Sequence, residues 1–593
     1  MCGIAGILST TLDKHCISST LEVMQNALHH RGPNGHGDYL SPSGQAGLAH
    51  TRLSIIDLSE KASQPMTDST ERFVISFNGE IYNYLELRAE LQEQGYQFNS
   101  HSDTEVILAL YQKLGQQCVH KLRGMFAFII WDEEEKIAFA ARDPFGIKPF
   151  YYWHDEQSFA LASEIKSILS AQLSNKKLDP QGVYDFLKTG STSEPNTLVS
   201  DIKLLPAGHC LTWQKGYVET QTYWRINFSQ QQTAMTYDEA VRHTRLALEN
   251  SIKAHLVSDV PIGVFLSGGI DSTAIVALAS QYSEKQINTY SIAFENPDWN
   301  EGDIAQRVAK HFGTRHTELV MTKELAKPLF KEYLNAIDQP SIDGFNTFCV
   351  AKLAHDNGEK VILSGLGGDE VFAGYKSFEL LPKMLRISRS LSLLSPWIKF
   401  KQKRLNRLLS AKFRRIFDFL GQPNSLVASQ QSLRGIFSHQ EAAQLCQQLS
   451  CAQEHYTQTK EPAHQHLKDK ISDIELSTYL RNQLLRDSDV MTMHWGLELR
   501  VPLIDSVMFD SIATIPADMR LLQGKKLLID AVPEIPQWVS SLPKRGFRFP
   551  FDDWFSDNWE QANIKPPSWI KLTPWYRKWS LTVLSNWIER HEK

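Results

Sequence analysis

The 593-residue chain has no apolar run long enough to cross a bilayer; its longest, Met125 to Trp131, falls far short of the roughly 20 residues a spanning helix needs. Cysteine is scarce, 7 in all, an odd number without a Cys-x-x-Cys pair, which argues against a disulfide framework or a zinc site. No basic segment followed by a long apolar core opens the chain, so no signal peptide is expected and the cytoplasm is the default compartment. Excess positive charge is also missing: a net charge of -5 gives no argument for a nucleic-acid partner. Gly-Lys-Ser/Thr occurs nowhere, which excludes the phosphate loop of the common phosphoryl-transfer ATPases. What is present, 42% hydrophobic and 22% charged residues, is the composition of a soluble globular protein, and the length calls for two or more domains.

One stretch organises the rest. Val260-Pro261-Ile262-Gly263-Val264-Phe265-Leu266 is apolar and β-branched, as a buried parallel strand is; it breaks at Ser267-Gly268-Gly269 and, past Ile270-Asp271-Ser272, continues as Thr273-Ala274-Ile275-Val276-Ala277-Leu278-Ala279, a good helix. Strand, glycine turn and helix build a phosphate cradle, because backbone N–H groups and the helix dipole both face the anion. Ser267 and Ser272 add hydroxyl donors, and Asp271 can hold magnesium on the phosphates. An ordinary strand-to-helix turn is the plainer reading of a lone Gly-Gly. The whole Ser-Gly-Gly-Ile-Asp-Ser segment, however, resembles the pyrophosphate loop of ATP pyrophosphatases. A second loop, Ser364-Gly365-Leu366-Gly367-Gly368-Asp369-Glu370, follows another short strand, so a doubly wound α/β sheet with ligand at its carboxyl edge is expected, with Asp271 and Asp369 sharing magnesium.

The chain starts Met1-Cys2-Gly3-Ile4-Ala5-Gly6. Loss of Met1 would leave Cys2 with a thiol and a free α-amine, a nucleophile and a base on one residue. Taken alone, Cys2 reads more simply as a small hydrophobe in a first strand. Its company changes that: Arg31-Gly32-Pro33-Asn34, Arg52-Leu53-Ser54-Ile55-Ile56-Asp57 read as part of a strand, Asn78-Gly79-Glu80-Ile81 at a strand end, Ser102-Asp103-Thr104-Glu105 capping a helix, and Arg142-Asp143-Pro144-Phe145-Gly146. In this order these motifs resemble the class II glutamine amidotransferase domain, an N-terminal-nucleophile hydrolase of αββα architecture. The resemblance implies that Cys2 attacks glutamine, that Asn78 and Gly79 form the oxyanion hole, and that Arg52, Leu53, Ser54, Ile55, Ile56, Glu80 and Asp103 complete the glutamine site. Within that set Arg52 would grip the α-carboxylate and Asp103 the ammonium.

With Leu499-Arg500-Val501-Pro502 and Leu542-Pro543-Lys544-Arg545-Gly546-Phe547, the second half resembles the synthetase domain of the asparagine synthetase family. The implied domains are 1–225 and 237–593, and the implied cofactors are ATP and Mg²⁺. Leu266, Ile292, Ser364 and Gly365 would meet adenosine and ribose, Lys544 the transferring phosphate, and a homodimer is expected. The implied activity is glutamine-dependent, ATP-driven amidation of aspartate. Leu366 departs from the pattern, because family members that make asparagine typically carry glutamate there; another carboxylate acceptor, such as a uronic acid or a peptide, is therefore the alternative. Asp343 and Glu370 are candidates to supply the missing acid. Two regions carry no motif: residues 399–415, read as a basic amphipathic helix with a solvated face, and a tryptophan-rich tail read as packing against the second domain.

Overall fold

The strand Gly124–Asp132 shows how the first half folds. Phe126, Phe128 and Ile130 pack on one side of it, and Ala127, Ile129 and Trp131 on the other, in two separate cores. A strand apolar on both faces must be covered on both faces, so the chain builds two stacked sheets with helices outside them. In this computed structural model, which describes every residue except 1, 229–233, 297–301, 396, 399, 401–408, 423, 458, 543–548, 555–562 and 592–593, each of these sheets has six antiparallel strands.

The first sheet runs, edge to edge, Ile202–Leu204, Tyr151–His154, Ser158–Ala162, Gly3–Ser9, Ala46–Arg52 and Gly35–Leu40. The second runs Tyr217–Thr222, His209–Gln214, Ile137–Arg142, Gly124–Asp132, Phe73–Ile81 and Met66–Thr67. Their shared core holds Ile4, Leu48, Ile129, Trp131, Leu161 and Trp213. Helices Lys14–Asn26 and Ile165–Ser170 cover the outer face of the first sheet, and Tyr84–Glu93 and Asp103–Leu114 that of the second. This is the expected αββα sandwich. Two local expectations fail. The strand carrying Arg52 ends at that residue, since Leu53 to Asp57 leave the sheet, and Phe73–Ile81 continues through Asn78-Gly79 because its pairing with Gly124–Asp132 persists to Ile81.

Beyond residue 236 the helix Tyr237–His255 starts in a capping box, in which Thr236 accepts from the Glu239 N–H and Glu239 from the Thr236 N–H. A five-stranded, wholly parallel sheet follows, ordered Arg315–Met321, Asn288–Phe294, Ile262–Phe265, Val361–Leu363, Glu498–Arg500. Helices Ile270–Tyr282, Gly302–Phe312 and Phe345–Asp356 lie between its strands in sequence, the doubly wound pattern.

The described part of the Gln-rich junction is not a bare linker: Ile226 and Phe228 are buried in the second half's core. In 399–415, Lys399 and residues 401–408 lie outside the described residues. In the remainder Lys412 is exposed, but Arg414 departs from the solvated-face expectation: in the helix Ala411–Leu420 it is 3% exposed and pairs with Glu441 at 2.5 Å. Glu441 is itself fully buried and draws a second cation, Arg577, at 2.6 Å, because a buried carboxylate without a partner would cost several kcal/mol. Within the tail, Trp579 and Trp587 on the helix Tyr576–His591 are buried, and Trp587 Nε1 donates to the Asp338 carbonyl at 2.8 Å.

Candidate functional site

Cys2 lies at the head of the central strand Gly3–Ser9, and Asn78 near the end of Phe73–Ile81 in the facing sheet. The stacking of the two sheets brings them together: the Cys2 N–H donates to Asn78 Oδ1 at 3.0 Å. That bond fixes the amide, leaving Asn78 Nδ2 buried with no hydrogen-bond partner among the described residues. A buried donor without an acceptor costs about 1–3 kcal/mol, so this one is held in place by the fold at a price in stability. Beside it a Cβ on Gly79 would lie 2.1 Å from the Met125 carbonyl oxygen, so only glycine fits.

A small cleft joins Cys2, Arg52, Leu53, Gly79, Glu80 and Asp103, with Ile55 and Ile56 also on its wall. Ser54 is not on that wall; its N–H is taken by Asn34 Oδ1 at 3.1 Å. Arg52 is anchored by two carbonyls, Nη1 to Ser59 at 2.9 Å and Nη2 to Asp57 at 2.5 Å. Asp103 opens its helix and accepts from the Ile81 N–H at 3.0 Å; burial pushes its carboxyl up to about 6. Burial likewise pushes the Cys2 thiol up.

Behind Cys2 stands a residue that no motif marks with a role of its own. Arg31, fully buried, donates from Nε to the Cys2 carbonyl at 3.2 Å, from Nη1 to Glu164 at 2.8 Å and from Nη2 to Asp489 at 2.8 Å. Asp489 belongs to the second half, as do Glu498 and Arg500, which pair at 2.6 Å; Arg500 lies 3.5 Å from Glu80.

The second site forms at the carboxyl edge of the parallel sheet. Gly268 has φ +73°, a left-handed turn that glycine accepts without strain, and a Cβ there would press on Ile304 at 2.7 Å. The turn is tied by Ser267 Oγ, which accepts from the Gly269 N–H at 3.3 Å and lies 3.1 Å from Ser272 Oγ. A single cavity of about 1880 Å³ is lined by Leu266, Ser267, Gly269, Asp271, Ser272 and Ile292, and by Ser364, Gly365, Leu366 and Asp369 of the second loop. Gly268 is not on its wall, and Lys544 lies outside the described residues. The two loops touch where glycine permits: a Cβ on Gly365 would lie 2.9 Å from Asp271 Cβ, and one on Gly368 2.3 Å from Asp271 Oδ1.

Asp271 and Asp369 sit in the first turns of helices, beyond the strands that end at Phe265 and Leu363. Both reach the ammonium of Lys525, Asp369 at 2.5 Å. Burial works to lower the Lys525 pKa, but the two carboxylates prevail and hold it up at about 12. One cation position is thus common to both acids, the donor set a hard divalent cation takes when phosphate oxygens complete its shell. Nothing in Gly524-Lys525-Lys526 marks this lysine in the sequence except the glycine before it. Of the two acids considered for the acceptor step, Asp343 lines the cavity, whereas Glu370 is buried, accepts from the Tyr375 hydroxyl at 2.8 Å, and is pushed up to about 8 by burial and by Asp369.

A cleft that sets a thiol beside a buried amide N–H₂, and a strand–glycine turn–helix loop opening on a second cavity, are the two sites that an ATP-using amidotransferase combines on one chain. Residues 1–224 match the glutamine amidotransferase domain family and residues 243–565 the asparagine synthase family; the chain belongs to the asparagine synthase family. It is 33% identical to the glutamine-hydrolysing asparagine synthetase 1 of Bacillus subtilis strain 168, over 94% of this chain and 88% of that one. It is 33% identical to glutamine-hydrolysing asparagine synthetase B of Escherichia coli K12, over 64% of this chain and 66% of that one. Amidase chry2 of Gibberella zeae is 30% identical over 64% of this chain and 60% of its own length.

Proposed function

We propose that the chain hydrolyses glutamine and, with ATP, uses the ammonia to amidate aspartate, giving asparagine, AMP and pyrophosphate. The observation that carries the first half-reaction is the Cys2–Asn78 bond, which leaves a buried amide N–H₂ beside the thiol. After loss of Met1 the α-amine at that position takes the thiol proton. The thiolate adds to the glutamine side-chain amide, and Asn78 Nδ2 with the Gly79 N–H hold the oxyanion, each donor worth about 10²–10³ in rate. Ammonia leaves, and water releases glutamate from the thioester. Arg52 and Asp103 hold the substrate α-carboxylate and α-ammonium.

In the second half-reaction the aspartate β-carboxylate attacks the α-phosphorus of ATP, and pyrophosphate leaves. Ammonia then adds to the acyl carbon and AMP departs. Ser267, Gly269 and Ser272 cradle the pyrophosphate, Lys525 stabilises its charge, and Lys544 is assigned to the transferring phosphate. Asp271 and Asp369 would hold Mg²⁺, which when bound neutralises phosphate charge. Residues 1–225 are assigned the hydrolase and 237–593 the synthetase. A cytoplasmic homodimer without nucleic acid is the assembly proposed; among the described residues no helix is long and apolar enough to cross a membrane. Leu366 favours a second reading, the same chemistry on another carboxylate, because leucine on the cavity wall cannot carry a proton for the amine.

Cys2→Ala tests the assignment. Glutamine hydrolysis should vanish while asparagine and AMP still form from added ammonium chloride, followed by mass spectrometry. Persistent hydrolysis in the variant would refute Cys2 as nucleophile, and ADP as the main nucleotide product would refute adenylation.

A further inference from the structure

The wall of the large cavity also carries a cation with no part in the chemistry so far. Arg434 ends the helix Leu426–Arg434 and faces the cavity. Its guanidinium is clamped between two rings, 4.5 Å from the Tyr375 centroid and 3.8 Å from that of Tyr479. Nε donates to Glu475 Oε2 at 2.9 Å, and Glu475 is fully buried. The two Nη groups have no hydrogen-bond partner among the described residues. A guanidinium so held has lost its conformational freedom before any ligand arrives, which is what a bidentate anion receptor requires.

Two features tie Arg434 to the reacting centre. Tyr375 follows Gly374, where a Cβ would lie 1.9 Å from Asp369 Oδ1, so one clamp ring adjoins the loop that bears the shared cation position. Tyr479 and Glu475 both belong to Glu475–Leu485, a π-helical stretch along the cavity. Such widened turns are rare and gather at functional sites. Two other cations on this wall are less suited: Lys376 is exposed, and Arg481 is engaged by Glu194 at 3.0 Å and the Phe145 carbonyl at 3.3 Å.

On the same cavity lies Asp343, whose Oδ1 accepts the Gly344 N–H at 2.9 Å while Oδ2 has no partner among the described residues. Asp343, Tyr479 and Arg434, the last stacked on the Tyr479 ring, all line this one cavity. A guanidinium and a carboxylate that both face one cavity are the pair of charges needed to read an amino-acid backbone, as Arg52 and Asp103 are assigned to do for glutamine. Leu366 offers bulk alone, so the polar recognition of the acceptor falls to this wall.

We propose that Arg434 and Asp343 are the acceptor-specificity residues, Arg434 binding the α-carboxylate and Asp343 the α-ammonium of aspartate, which leaves the β-carboxylate to reach ATP. The assignment rests on aspartate as acceptor. It is tested on the full-length enzyme with ATP and ammonium chloride, comparing aspartate with β-alanine, which lacks the α-carboxylate, and succinate, which lacks the ammonium. Wild type should use either analogue at least ~100-fold less efficiently, since each leaves a charged wall group unpaired. Arg434→Met combined with Glu475→Gln removes the buried ion pair as a unit. It should raise the aspartate KM about 100-fold and bring aspartate and β-alanine within about fivefold of each other, keeping the bias against succinate. Asp343→Asn should do the converse, relaxing the bias against succinate alone. An unchanged ATP KM reports an intact site. If the double variant loses aspartate and β-alanine in equal proportion, or keeps the wild-type aspartate KM, the proposal is overturned. If wild type makes no asparagine while its glutaminase is active, the acceptor reading itself fails and this assignment falls with it.

Discussion

Burial lifts the Asp103 carboxyl to about 6, against an ordinary value near 3.8, and that has a direct consequence for glutamine binding. Only the charged form accepts the substrate ammonium. As pH falls through about 6 the group takes up a proton, becomes neutral, and the glutamine KM must rise. The glutaminase kcat/KM should therefore lose about tenfold for each pH unit below 6. Asp103→Asn should be weak throughout and lack this acid limb, while any limb belonging to the α-amine near 8 stays. Steady-state profiles from pH 5 to 8 on both proteins decide it; a wild-type profile level between pH 7 and 5 would contradict the role given to Asp103. The same scale explains the missed lysine: Lys525 gains meaning only from Asp271 and Asp369, which a distant part of the chain supplies, and a lysine in a glycine turn otherwise reads as solvated.

At the level of elements, the two glycine loops work as one device. Gly374 is the tightest point: a Cβ there would lie 1.9 Å from Asp369 Oδ1 and 2.2 Å from Lys525 Cε. Gly374→Ala must displace one or the other, parting the carboxylate from the cation it shares. ATP–pyrophosphate exchange should fall by about 10² or more, as a misplacement near 1 Å commonly produces, with glutamine hydrolysis within twofold of wild type. Exchange at the wild-type rate would mean that the loop tolerates the displacement. These loops were legible in the sequence because their signal is local: β-branched strand, glycine turn, helix. Asn78-Gly79 was legible as a motif but misplaced as a strand end, since pairing with Gly124–Asp132, not local propensity, decides where that strand stops. Glu475–Leu485 was not legible at all, because a π-helical winding has no periodicity that sets it apart from an ordinary helix in so short a stretch. Arg414 was misread for a related reason: a run of cations looks solvated until the buried Glu441, from another helix, claims one of them.

Across the whole molecule, the two reactions have to be joined, since in the proposed scheme ammonia released at Cys2 is consumed at the other site. Arg31 links the two halves beside Cys2 through hydrogen bonds. It holds the Cys2 carbonyl, Glu164 on its own side, and Asp489 in the helix Arg486–His494 of the other half. Lys148, 3.6 Å from Asp489, is the next cation in this network, and burial depresses its pKa, so it substitutes poorly for a permanently charged guanidinium. Among the described residues, Arg31→Leu would leave buried Asp489 with Lys148 at 3.6 Å alone, while Glu164 keeps Lys166 at 2.5 Å and His30 at 3.0 Å. It should cost about 3 kcal/mol, the lower end of the penalty for removing one member of a buried ionic cluster. Denaturant unfolding measures that loss, and Arg31→Lys should recover part of it, because one ammonium cannot bond all three partners of the guanidinium fork. A bracket that only stabilised the interface would leave the stoichiometry of the surviving enzyme at one glutamine consumed per amide formed. Because Arg31 grips the Cys2 backbone directly, its loss should also slacken the register between the sites, so that glutamine is hydrolysed in excess of asparagine made. Measuring glutamate and asparagine together at a temperature where the variant remains folded separates the two: a ratio that stays at wild type while stability drops assigns Arg31 to cohesion alone, and a rising ratio assigns it to coupling as well.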